Sequence, residues 1–467
     1  MTATTPLLAL CPMGKFVFSN EDAIRQKALV QERLRSMGVR FVDLDGVLPD
    51  GLVKDFAQVE AAVAHFAAQK ADALFVPHCN FGTENACGMI ARKLALPTLL
   101  WSPRDAAPQP DGSRLRDSLC GTFASSKVLR RLGVPFSYIE NCPPSDARFT
   151  AGVDRFLRAA HVAGAFRTGL KIGQIGNRID FFWTTIINEG ELLDRFKVEV
   201  TPIDMVTFIA DAKARTQQDA ARYAAEAVEL RRTCTVEGLA DDQQLINILA
   251  VRDEMFHLVE KHGFEALAVQ DFTSLVDAMG AYCFFATSLV SDRIPVSLET
   301  DIHGAISLAL MRRATYGAGP VHLTEFTNRH PTDDNAVLMW HAGAPTQYLH
   351  PQSRIRLGHH WILPSPLAGM PHFKMRDGDI TVVRFDGDRG EYRLAIGQGR
   401  TVPGPDTLNN WTWMQVNDWP RWERTLVEGP YIHHIAMAYG QVGDALAEAA
   451  RFIPGLAVDR LGGLGEV

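Results

Sequence analysis

Carboxylates and imidazoles in the second half of this 467-residue chain stand where short apolar segments end. Glu299-Thr-Asp301 follows Pro295-Val-Ser-Leu298, Thr324-Glu325-Phe326 follows Val321-His-Leu323, and His341 closes Val337-Leu-Met-Trp340, with His433-His434 far downstream. Neighbouring strands that end in polar groups bring them together at one edge of a sheet, which is how an open site for a divalent cation is built. Two carboxylates with one or two imidazoles make a hard to borderline donor set. Such a set suits manganese and related ions rather than thiolate-bound zinc.

The elements that must hold these groups alternate. Leu7–Leu10, Val39–Asp43, Ala73–Val76 and Thr98–Trp101 are short buried-strand patterns, separated by helical patterns over Glu21–Met37, Ala61–Gln69 and Thr83–Ala95. That alternation predicts a parallel sheet with helices on its faces. Ligands gather beyond the carboxyl ends of such strands, so the loops His78-Cys-Asn-Phe81 and Ser102-Pro-Arg-Asp105 are binding candidates, against ordinary turn chemistry. A second α/β unit starts near Thr168, with strands at Lys171–Ile175, Val198–Thr201, Ala266–Val269 and Val296–Leu298 and helices over Gln217–Arg232 and Asp241–Lys261. From about Trp340, strand-like pieces such as Ile380–Phe385 and Tyr392–Ile396 are punctuated by glycine and proline, and a helix over Gly443–Phe452 follows. The expected fold class is α/β, with two doubly wound parallel-sheet domains over 1–167 and 168–339 and a C-terminal β-barrel-like domain over 340–467.

These stretches also carry a family resemblance. Glu299-Thr-Asp301-Ile-His-Gly-Ala305, Thr324-Glu325-Phe326, Trp340-His341-Ala-Gly343 and His433-His434 with Tyr439-Gly440 resemble the L-fucose and L-arabinose isomerase superfamily. Lys171-Ile-Gly-Gln-Ile-Gly176, Asp180-Phe-Phe and Lys197-Val-Glu-Val-Thr-Pro202 resemble the opening of that family's middle domain, and Asn80-Phe-Gly-Thr-Glu84 a loop of its first. The resemblance implies that Glu299 and Glu325 are both metal ligands and the catalytic acid/base pair. His341 and one of the late histidines, with His434 taken for that place, would complete the coordination. It also implies a small-molecule sugar as substrate and a homo-oligomer, a hexamer first. Glu325 and His341 are closer to the arabinose type than to the fucose type, which leaves the sugar open among pentoses, deoxyhexoses and modified sugars.

The chemistry follows from the residue types. An aldose becomes a ketose when a proton moves between C2 and C1, and the hydrogen beside the carbonyl is poorly acidic. A divalent cation on the carbonyl and hydroxyl oxygens stabilises the enediolate, while carboxylates on either side of it remove and return the proton. Manganese is the expected ion, with cobalt or magnesium as substitutes. The rival readings are an epimerase or an aldolase on the same metal site, or a sugar-binding protein without catalysis.

Composition narrows the other classes. A net charge of -7 argues against a nucleic-acid partner. Seven cysteines, scattered and without a close pair of the CxxC kind, read as reduced thiols rather than a disulfide framework. Met1-Thr-Ala-Thr-Thr-Pro6 carries neither a basic start nor a long apolar core, and no apolar run approaches the roughly 20 residues of a membrane span. A cytoplasmic protein with no membrane partner is expected. Other polar or aromatic clusters have plain alternatives. His359-His360 with Arg354 and Arg356 reads as an anion contact or a solvated β-edge, Trp411, Trp413, Trp419 and Trp422 as a sugar wall or as core, and His303 as packing or a hydrogen bond behind the site.

Overall fold

The computed structural model describes residues 5–239, 241–363 and 366–463, so the start Met1–Thr4 lies outside the described residues. The chain divides into two compact units, one of residues 1–164 with 448–454 and one of residues 165–447 with 455–467. Among the described residues no helix is long and apolar enough to cross a membrane.

In the first unit, five strands form one parallel sheet: β1 (Leu8–Leu10), β2 (Phe41–Val42), β3 (Ala73–Pro77), β4 (Thr98–Trp101) and β5 (Phe136–Tyr138). Their order is β2-β1-β3-β4-β5. Every residue of β1, β3 and β4 is buried, as apolar runs without alternation demand when helices cover both faces. The connecting helices include Asn20–Ser36, Val59–Ala68, Glu84–Leu94 and Ser118–Arg131. The first of these starts where the Ser19 hydroxyl accepts from the Asp22 backbone N–H and ends with Arg33 and Arg35, as its dipole favours. The edge strand β5 is three residues long and only partly buried, too short to leave a period-two signal.

The second unit opens with β6 (Leu170–Ile175) and β7 (Val198–Ile203), followed by the two-residue β8 (Thr235–Val236), then β9 (Ala266–Val269) and β10 (Val296–Ser297). Apart from β8 these form a parallel sheet in the order β10-β9-β6-β7. The helix Ile302–Ala314 packs on β6, β9 and β10, and eleven of its thirteen residues are buried. A helix that is apolar on all sides has to be enclosed on all sides. The barrel does this on its other face.

The barrel strands are β11 (His322–Arg329), β12 (Ala336–His341), β13 (Arg356–His359), β14 (Ala368–Lys374), β15 (Asp379–Asp388), β16 (Glu391–Val402), β17 (Asn410–Gln415), β18 (His434–Tyr439) and β19 (Leu456–Gly462). Six of them close in the order β16-β15-β18-β11-β12-β17, with β17 pairing back onto β16, and every pairing in the ring is antiparallel. Closure removes the free edges that an open sheet would expose. Beyond β17 the sheet continues through β14 and β13 to β8, and β19 lies parallel to β16. Trp422, fully buried, fills space that Gly397 leaves open, since a side-chain carbon at 397 would sit 2.2 Å from the indole. Trp411, Trp413 and Trp419 are buried too, which makes the tryptophan cluster core rather than a sugar wall.

Candidate metal centre

Glu299, Glu325, His341 and His434 each offer one donor atom to a group whose atoms all lie within 4.8 Å of one another. They do not meet at one edge of one sheet, as the strand-end pattern suggested. Glu299 follows β10 of the parallel sheet, whereas the other three stand on barrel strands. Register explains Glu325 and His434, while His341 is the last residue of β12, one past Trp340. Glu325 pairs with His434 on one side and with Trp340 on the other, so the glutamate, the histidine and the neighbour of His341 share one row across three strands. The parallel half follows the rule that polar groups collect beyond the carboxyl ends of strands.

Glu299 is held differently. Its φ is +59° and that of Thr300 is +50°, two successive left-handed residues without a glycine, one of them β-branched and buried. Such conformations cost on the order of 1–3 kcal/mol each and persist where surrounding contacts over-determine them. Those contacts are present. Asp271, just past β9, accepts from the Glu299 backbone N–H at 2.9 Å, the Thr300 N–H donates to the Val269 carbonyl at 3.0 Å, and the Asp301 N–H donates to the Leu298 carbonyl at 3.1 Å.

The ring nitrogens show where the donor atoms converge. His434 Nδ1 lies 3.0 Å from Asp301 Oδ2, so that nitrogen carries the hydrogen and Nε2 faces Glu299 Oε2 at 3.3 Å and Glu325 Oε1 at 3.7 Å. His341 Nδ1 donates to the Ala342 carbonyl at 3.3 Å, and its Nε2 stands 3.3 Å from Glu325 Oε1. Both Nε2 atoms are buried and neither makes a hydrogen bond among the described residues. A lone pair aimed at a carboxylate oxygen is repulsive unless a proton or a cation lies between them. Both contacts point at one place, where a proton on His434 or a bound cation removes the repulsion.

Charges behind the site set the ionisation. Burial works to raise Asp301, but the Arg384 guanidinium and His434 hold its carboxyl far below the usual carboxylate range. Burial likewise opposes the charged form of Glu325, and His341 and His434 keep it below its ordinary value. Burial disfavours a charged His434 ring, yet the bond to Asp301 and the two glutamates push it well above the ordinary imidazole value. Burial pushes Asp271 well up, and the nearby Glu299 charge adds to this.

Other sequence candidates sit elsewhere. His433, next to His434, is exposed and stays outside the four-residue group, 3.9 Å from Glu325 Oε1. His303 reaches the site only through Asp386 and Arg384. Arg354 and Arg356 are tied to the Arg232 carbonyl and to Glu237. In the first unit, His78 Nδ1 bonds to the Phe81 carbonyl within its own turn, and Asn80 donates to the Lys15 carbonyl of another loop. Asp271 and Arg384 escaped the sequence reading, though an aspartate two residues after the apolar run Ala266–Val269 and an arginine inside Ile380–Phe385 were their signals. A hollow of about 530 Å³ in the first unit is lined by none of the four residues, and neither is one of about 380 Å³ in the second, whose lining includes His433 and Trp419.

Comparison with known proteins gives the family. Residues 10–167 match the family described as Fucose/sulfoquinovose isomerase, N-terminal domain, and residues 368–459 match L-fucose isomerase, C-terminal domain. Sulfoquinovose isomerases of Priestia aryabhattai and Priestia megaterium are each 24% identical over 462 residues, covering 95% of this chain and 96% of theirs. The chain belongs to the fucose isomerase-like superfamily. A third member, the sulfoquinovose isomerase of Alkalicoccus urumqiensis, is 26% identical over 328 residues, 68% of this chain and 70% of that one. This superfamily member is a sugar isomerase, an enzyme that interconverts an aldose and a ketose.

Proposed function

We propose that the protein is a metal-dependent aldose-ketose isomerase that works on the open-chain sugar at the Glu299, Glu325, His341 and His434 cluster. The observation that carries this reading is the pair of buried, unbonded Nε2 atoms facing two carboxylates within one 4.8 Å group. Two oxygens and two imidazole nitrogens fit manganese first, with cobalt or magnesium as substitutes. When bound, the ion supplies a positive charge that favours the enediolate over the aldose. Glu299 and Glu325 come to the cluster from different sheets, and in this reading one takes the proton from one carbon and the other serves the neighbouring carbon. His341 and His434 keep the two carboxylates in place. Asp301 fixes the ring of His434.

The relatives act on sulfoquinovose, and this sulfonated hexose is our first candidate substrate. A homohexamer is proposed as the assembly, with a monomer at all concentrations in sedimentation as the contrary outcome. The function is tested by purifying the protein with its metal measured, then incubating it with sulfoquinovose and a panel of pentoses and deoxyhexoses. Ketose formed from one of them, lost on chelation and restored by manganese, is the expected result. C2 inversion without ketose would make it an epimerase.

A further inference from the structure

Behind His434 the buried contacts continue well past Asp301. Arg384, 1% exposed, spreads its guanidinium over Asp301, with Nη2 3.1 Å from Oδ1 and Nη1 on Oδ2, and turns Nε to Asp386 Oδ2 at 2.8 Å. Asp386 Oδ1 in turn takes His303 Nδ1 at 3.0 Å and the Gly387 N–H at 2.9 Å. The helix that begins at Asp301 is pinned to the same strand, since Ser307 Oγ accepts from the Phe385 N–H at 2.8 Å and donates to the His303 carbonyl at 2.6 Å. Asp301 also caps that helix by accepting from the Gly304 N–H at 2.9 Å.

Stability alone accounts poorly for this arrangement. A buried ion pair recovers little more than its desolvation cost, and apolar residues of similar volume do as well or better. What an arginine adds is a planar, two-pronged grip that fixes the plane of a carboxylate. Fixing the Asp301 carboxylate fixes the acceptor for His434 Nδ1, and with it the direction of His434 Nε2. We propose that Arg384 is a positioning residue of the metal centre, acting through Asp301 to aim His434 Nε2 at the point between Glu299 and Glu325. The proposal rests on reading the four-residue cluster as the metal centre.

Partners behind metal-binding histidines are commonly worth about 10- to 100-fold in metal affinity. Arg384→Lys keeps the charge and loses the two-pronged grip. The test is manganese titration of Arg384→Lys, Asp386→Asn and His434→Ala against the parent, read as Kd and as the metal-induced rise in Tm. Circular dichroism and the Tm of the metal-free proteins report folding separately. Arg384→Lys should fold, bind manganese about 10-fold more weakly or worse, and recover turnover at high manganese. A purely structural role would lower the metal-free Tm and leave the manganese Kd unchanged, and that outcome overturns the proposal. Should Arg384→Lys not fold, Asp386→Asn carries the test, because it weakens the hold on Arg384 Nε and leaves the bond between Asp301 and His434 in place. Unchanged manganese affinity in His434→Ala would overturn the reading of the cluster itself, and the proposal with it.

Discussion

Glu325 projects from a strand paired on both sides by antiparallel ladders, whereas Glu299 projects from a turn in which two successive residues hold positive φ. The ladder fixes its glutamate through many equivalent backbone bonds, none of them critical alone. The turn fixes its glutamate through a few specific contacts, with Asp271 foremost, and carries strain that those contacts must offset. The two glutamates of the cluster are thus held by a redundant support and a singular one. Losses on the Glu299 side should therefore concentrate in single residues, and losses on the Glu325 side should be spread out.

The largest expected effect removes the carboxylates themselves. Glu299→Gln and Glu325→Gln should each lower turnover about 100-fold or more, the scale of a lost general acid or base. Metal content has to be measured beside turnover, and a variant with full metal and near-parental rate would strike that glutamate from the pair. Next comes the singular support. Asp271→Ala leaves the Glu299 N–H without its acceptor, at a cost of about 1–3 kcal/mol in denaturant unfolding, with turnover falling as well. Asp271→Asn retains an acceptor oxygen and should recover most of the loss. Equal damage from both substitutions would show that the charge of Asp271, rather than its bond, supports Glu299.

The His434 shift makes metal-free stability and manganese affinity depend on pH with opposite signs. A folded value raised above the unfolded one, about 6.5, stabilises the metal-free protein below that pH, and the gain is lost as pH rises through the raised value. Bound metal requires the unprotonated Nε2, so manganese affinity should climb over the same interval and binding should release a proton. Unfolding curves and titrations in weak buffer from pH 6 to 9 would show it, and parallel slopes with and without manganese would contradict the assignment. The smallest effect contrasts glycine on the two sides. Thr300→Gly relieves left-handed strain while adding unfolded-state entropy of about 0.5–1 kcal/mol, so stability should change by less than about 1 kcal/mol. Thr324→Gly, inside a strand and without strain to relieve, should destabilise clearly more.

Much of this was legible in the sequence because it rests on local pattern. The strands of both parallel sheets, β5 aside, appear as apolar runs, and Glu299, Glu325 and His341 each follow a short apolar segment. What was not legible depends on register and closure. Nothing local says that His434 rather than His433 turns inward. That follows from the pairing of Glu325 with His434 across two strands more than a hundred residues apart. The role of Arg384 depends on the helix starting at Asp301 packing against β15, which no local pattern shows. The strained turn at Glu299-Thr300 also left no sign, since neither residue type favours positive φ.

The central claim is that Glu299 and Glu325 move a proton between neighbouring carbons of an open-chain sugar. It is tested most directly by turning over the accepted aldose with manganese in heavy water and reading the label in the ketose by NMR. The account predicts deuterium at C1, with incorporation slowed about 100-fold or more in both Gln variants in step with turnover. Ketose that carries no deuterium after many reversible turnovers would mean that hydrogen travels without an exchangeable proton, and would contradict it.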